Sequence, residues 1–130
     1  MKFEIVNPPD LIKPVGYSHG IVASGNRLLF IAGQVGLDEN GPAADLATQF
    51  KIALDNVKKV LEAAGGRPED LARLTIYVTN IKAYLKHREQ LAPIYQEFFG
   101  RHYPAMSLLE VRNLIDPRLM VEIEGTAVLP

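Results

Sequence analysis

The chain has 130 residues, no cysteine, and 14 lysines and arginines against 15 aspartates and glutamates. The length suits one domain, residues 1–130, which on folding hides roughly two-thirds of its extended surface and so forms a core without staples. The missing cysteines exclude disulfide scaffolds, thiol nucleophiles, Cys-ligated zinc and iron–sulfur clusters, and the formal charge of −1 supplies no counterion-release drive toward nucleic acid.

Phe3-Glu4-Ile5-Val6 reads as a short strand closed by Asn7-Pro8-Pro9, followed by a loop to Ser18 punctuated by Pro14 and Gly16. Gly20–Ala23 and Arg27–Ala32 flank Ser24-Gly25-Asn26 and predict a hairpin. A second turn is expected at Glu39-Asn40-Gly41-Pro42. The apolar run Leu46, Phe50, Ala53, Leu54, Val57, Leu61 recurs at three- and four-residue spacing and predicts a helix. Asp45 stands at its cap and Gly65-Gly66 at its end. From Leu74 to Thr79 the period falls to two, which is a strand. A second helix is expected from Tyr84 to Phe99, kinked or restarted by Pro93. Strands at Ala105–Val111 and Leu119–Ala127 complete the chain, joined through Asp116-Pro117.

Two helices cover one face of such a sheet. The opposite face is expected to carry Tyr77, Met106, Leu108 and Glu110, with Glu122 and Glu124 from the last strand. That mixture is too apolar for water and too acidic for a dry core, so a second subunit is expected to cover it. Apolar stretches such as Leu28 to Ala32 are far too short to span a bilayer, and Met1-Lys2-Phe3-Glu4 has no signal core. A cytoplasmic protein with no membrane partner is the expectation.

Phosphate-binding loops, dinucleotide fingerprints, H-E-x-x-H and G-x-S-x-G are all absent. His19, His87 and His102 lack metal-ligand spacing, which predicts no metal; His19 stands apart only because it follows Tyr17-Ser18 in a loop. Glu122 and Glu124, two apart on a strand, project to one face. Such a pair either meets an arginine such as Arg112 or Arg118, or places one carboxylate in a cleft where it orients water. Spacing leaves both open.

An ordered series runs from about residue 10 to 128: Gly16-Tyr17-Ser18, Ile31-Ala32-Gly33-Gln34, Ala53-Leu54-Asp55-Asn56-Val57 through Ala64-Gly65, Pro104-Ala105-x-Ser107, and Val121-Glu122-Ile123-Glu124. It resembles the RidA/YjgF/YER057c/UK114 family, the reactive-intermediate deaminases. The resemblance implies an α+β, chorismate-mutase-like fold with one mixed sheet and two helices on one face. It also implies a homotrimer and a small-molecule site in each inter-subunit cleft. Members hydrolyse enamines and imines to ammonia and a 2-oxo acid without metal or cofactor. By motif match Glu122 would position water, Tyr17 would line the cleft and bond substrate, and the Gly33 backbone and Ser107 would contact it.

Three positions depart from that family. The substrate-clamping arginine is Met106, a serine is Ala32, and a pocket asparagine is Ala92. An arginine–carboxylate bond is worth about 1.5–3 kcal/mol, so its loss predicts an imine hydrolase with a less anionic substrate preference, unless Arg101, Arg112 or Arg118 replaces the clamp. The alternative is a non-enzymatic trimer that binds a small ligand or a protein. An endoribonuclease or translation-inhibitor activity ranks last, because basic residues and base-stacking aromatics are not interleaved.

Overall fold

The computed structural model describes residues 3–130. Strands β1 (Phe3–Val6) and β2 (Gly20–Ala23) pair antiparallel as a ribbon of their own. Strand β3 (Arg27–Val35) joins a different sheet, which corrects the expected hairpin. Ser24-Gly25-Asn26 is a step between sheets. A Cβ on Gly25 would lie 2.5 Å from Val128 Cγ1, and the Asn26 N–H donates to the Leu129 carbonyl at 3.3 Å. Ile31 of β3 is thereby buried, a gain that an isolated two-stranded hairpin does not give.

The short strands β4 (Leu37–Asp38) and β5 (Gly41–Pro42) form the second expected turn, with Gly41 at φ 104°. Helix α1 (Leu46–Ala63) is bounded as its sequence predicts. Asp45 accepts the Thr48 N–H at 2.8 Å, Gly65 takes φ 80°, and the Gly66 N–H closes on the Leu61 carbonyl at 2.8 Å. Strand β6 (Leu71–Val78) then crosses the domain.

The expected helix from Tyr84 to Phe99 is two helices, α2 (Ile81–Lys86) and α3 (Arg88–Phe99), parted at His87. Asn80 caps α2 by accepting the Ala83 N–H at 2.9 Å. Pro93 lies within α3 without ending it. The donor that Pro93 lacks would have met the Glu89 carbonyl, in a first turn already open to water.

Strands β7 (Ala105–Glu110) and β8 (Val121–Leu129) complete a mixed sheet of order β3-β8-β6-β7. Strand β8 is antiparallel to both neighbours, and β6 and β7 run parallel. Helices α1 and α3 cover one face, enclosing Leu54, Val57, Leu74 and Ile123 at 0% exposure. The fold is α+β and chorismate-mutase-like, as expected. No helix among the described residues is long and apolar enough to cross a membrane.

Register corrects one face assignment. Met106 lies opposite Leu74, Leu108 opposite Ile76 and Glu110 opposite Val78, so all three project to the helix side. The bare face carries Ser107 and Leu109 instead, beside Tyr77, Glu122 and Glu124. A period of two fixes which residues share a side but not which side is covered. On β3 the bare face is apolar, with Leu28 61% and Phe30 75% exposed.

Candidate functional site

The residues singled out by sequence fall into two groups. The first lines a cavity of about 540 Å³ between α3 and β7, where Tyr17, Ala92 and Met106 meet; Ser107 borders it from the edge strand, while its hydroxyl, on the bare face, accepts from Arg73 Nη2 at 3.1 Å. Tyr17 is held there by its loop. The Ser18 hydroxyl donates to the Tyr103 carbonyl at 2.7 Å, the Ser18 N–H to the Pro104 carbonyl at 3.1 Å, and His19 packs edge-on to the Tyr17 ring. His19 is a support for Tyr17, with its Nε2 2.6 Å from the Ile12 carbonyl oxygen. Met106 and Ala92 give the cavity apolar walls, as their types predict.

Tyr84, Tyr95 and Tyr103 also line this cavity. Tyr95 stacks on Tyr103 at 5.5 Å and donates to the His102 carbonyl at 2.7 Å. Burial raises the pKa of Tyr84 and Tyr95, so both are neutral phenols through the physiological range. Sequence reasoning placed Tyr84 and Tyr95 in the expected second helix and had no signal that they or Tyr103 would line a cavity.

The second group sits across the sheet, where β3 shifts register against β8 between Ile31 and Gln34. The irregularity turns Ala32 and Gly33 outward, and both are exposed. Gly33 is packed so closely on Glu122 that a Cβ would lie 2.4 Å from its Oε2. Glu122 is half-buried and has no side-chain hydrogen bond or ion pair among the described residues. Glu124 is committed, because it accepts the hydroxyl of Tyr77. None of Ala32, Gly33 and Glu122 lines the cavity of Tyr17 and Met106. One chain holds a carboxylate without a cavity and a cavity without a carboxylate.

The arginines weighed as replacement clamps are elsewhere. Arg118 is tied to Asp116 at 2.9 Å, Arg112 borders a groove beside Thr79 and Glu110, and Arg101 is exposed beyond α3. Among the described residues the cavity's one charged residue is Arg88, which sequence reasoning passed over. Its place in a polar stretch, Lys86-His87-Arg88-Glu89, gave no signal. No group of three metal-ligating side chains occurs among the described residues.

The family described as Endoribonuclease L-PSP matches residues 10–129. A RutC family protein of Pyrococcus horikoshii is 34% identical over 128 residues, covering 95% of this chain and 96% of that one. A 2-iminobutanoate/2-iminopropanoate deaminase of Escherichia coli is 34% identical over 128 residues, covering 94% and 92%. Among solved structures, the Rid-family protein YyfB of Yersinia pestis, of unknown function, superimposes with a TM-score of 0.87 at 37% identity, covering 99% of this chain and 100% of that one.

Proposed function

The chain belongs to the Endoribonuclease L-PSP family, which includes the RidA/YjgF proteins, and from that premise we propose that it hydrolyses imines or enamines in a cleft completed by a second copy of itself. The unpaired carboxylate of Glu122 beside the outward-turned Gly33 supports this most. An imine carbon is already electrophilic, so a held carboxylate and a positioned water suffice. Water oxygen bonds to carbon while Glu122 takes its proton, and the π pair passes to nitrogen, which is protonated in turn. Collapse of the carbinolamine breaks the C–N bond and releases ammonia and a carbonyl product. This chemistry calls for neither metal nor cofactor.

A homotrimer would bring the two groups together, with Tyr17, Ala92, Met106 and Ser107 from one copy and Ala32, Gly33 and Glu122 from the next. The bare sheet face with Leu28 and Phe30 supports association, as does an accessible surface of 7912 Å² where a monomer of this mass has about 6,800 Å². Met106 in the place of a clamp disfavours a carboxylate bonded directly to the imine carbon, since that anion would lose hydration without a partner.

A coupled assay tests the proposal: an amino-acid dehydratase or an amine oxidase generates the imine, and carbonyl release is followed. Catalysed hydrolysis of an imine lacking an adjacent carboxylate is expected, with 2-iminobutanoate turned over slowly. Absence of catalysis on every imine leaves the alternative, a ligand-binding trimer, which the apolar cavity favours.

A further inference from the structure

Arg88 opens α3 at one end of the tyrosine-lined cavity, and among the described residues it is the only charged one lining it. It makes no ion pair or side-chain hydrogen bond among the described residues. What sets Arg88 apart from the other exposed cations is its place on the cavity wall. No described side chain engages the Arg88 guanidinium donors, and no acidic side chain of the same chain lines the cavity among the described residues.

The cavity has a direction. Arg88, Leu91, Ala92 and Tyr95 follow one face of α3. Tyr17, Tyr95 and Tyr103 gather near the start of β7, where Ser18 bridges to Ala105. Phe50 and Tyr84, ring centroids 6.1 Å apart, line the same cavity. From Arg88 to Tyr95 is about two helical turns, about 10 Å of rise. The wall between the ends is aromatic and aliphatic, with Met106 and Leu108 of β7 opposite the helix.

We propose that Arg88 holds the anionic end of the substrate, and that the substrate is an imine or enamine whose carboxylate is separated from the C=N group by an apolar, preferably aromatic, body. This rests on the imine-hydrolase proposal and extends it. The reacting group lies at the Tyr17 end, where Met106 leaves the imine carbon without an adjacent anion, and the body lies along the tyrosines. A carboxylate gains charge-assisted, planar contacts from a guanidinium. Offset or edge-on packing suits an aryl ring against Tyr84, Tyr95 and Tyr103.

Calorimetric binding with 4-phenylbutyrate and its uncharged amide tests the proposal without catalysis. The native protein is expected to bind the acid about tenfold to a hundredfold more tightly than the amide. The preference should fall with added salt because Arg88 is solvent-exposed, vanish in Arg88→Ala and return in part in Arg88→Lys. Equal affinity for acid and amide in the native protein, no binding of the acid, or a preference that survives Arg88→Ala would each overturn it. Hydrolysis is scored separately by the coupled assay. Turnover without an acid preference removes the Arg88 assignment alone; an acid preference without turnover of any imine removes the hydrolase proposal alone.

Discussion

The hydroxyl of Tyr77 hydrogen-bonds the carboxylate of Glu124, one strand away on the bare face of the sheet. The bond to Glu124 raises the tyrosine's pKa, so the phenol stays a donor at neutral pH and the acceptor stays engaged. Glu122 lies directly opposite Tyr77 in the ladder yet escapes that bond and faces Gly33 instead. Two glutamates on one face thus differ: a phenol engages Glu124 and leaves Glu122 open.

Glu122→Gln is therefore expected to lower kcat by about a hundredfold or more, the usual scale for a lost general base. Glu124→Gln should cost less than about tenfold, because an amide oxygen still accepts from Tyr77. Steady-state kinetics on both variants, with circular dichroism to verify folding, decide it. Equal losses would show that the roles are misassigned.

Two glycines on one strand and its exit should respond in opposite ways. In Gly33→Ala the new methyl meets the flexible end of Glu122, 2.4 Å away, so the carboxylate swings aside. Activity should fall at least about tenfold while stability changes by about 1 kcal/mol or less. In Gly36→Ala the methyl meets the Gln49 Cα at 2.4 Å, and the helix backbone cannot yield. That variant should lose about 3 kcal/mol. Thermal melts beside kinetics separate the two.

Phe30→Glu places a charge where an aromatic ring is 75% exposed on the bare face. Sedimentation equilibrium is expected to give a trimer for the native protein and 14.4 kDa monomers for the variant. A native monomer at micromolar concentration would remove the shared cleft.

Asp45→Ala should cost about 1 kcal/mol at neutral pH through the lost helix cap. The hydrogen bond from the Thr48 backbone holds the Asp45 pKa below its ordinary 3.8. A depressed folded-state pKa means that the capping stability is fully present above the unfolded value and is lost as pH falls through the folded one. The difference in Tm between native and variant should be constant above about pH 5 and shrink below about pH 4. A difference that persists unchanged at pH 2 would show that the cap acts through something other than the carboxylate charge.

Much of this molecule was written locally and could be read locally. The Phe50-to-Leu61 stripe, the Asp45 cap and the Gly65 stop concern neighbours within a few residues, and α1 matches them. Pairing is another matter. That β3 leaves β2 for β8 depends on contacts a hundred positions away, which Ser24-Gly25-Asn26 does not encode. Likewise, Met106 and Ser107 alternate by rule, but which of them meets the helices is decided by the parallel register with β6. Glu122 and Gly33 were legible as a motif. Gln49 was not: an ordinary polar residue by sequence, it is fully buried, donating to the Ala43 and Arg118 carbonyls and accepting from Met120 N–H.

Strand β8 sits between β3 and β6, yet it is the sheet strand synthesised latest. Leu28 must find Val128, and Leu74 must find Gly125, before either half of the sheet is closed. On the ribosome, α1 can form early, but β3 and the apolar β6 remain raw edges until residues 121–129 emerge. A product shortened before β8 keeps α1, the β1–β2 ribbon and the β6–β7 pair, but leaves β3 unpaired and β6 open on one edge. Closure of the sheet waits for β8, so chaperone demand is expected to track the pause before that strand appears.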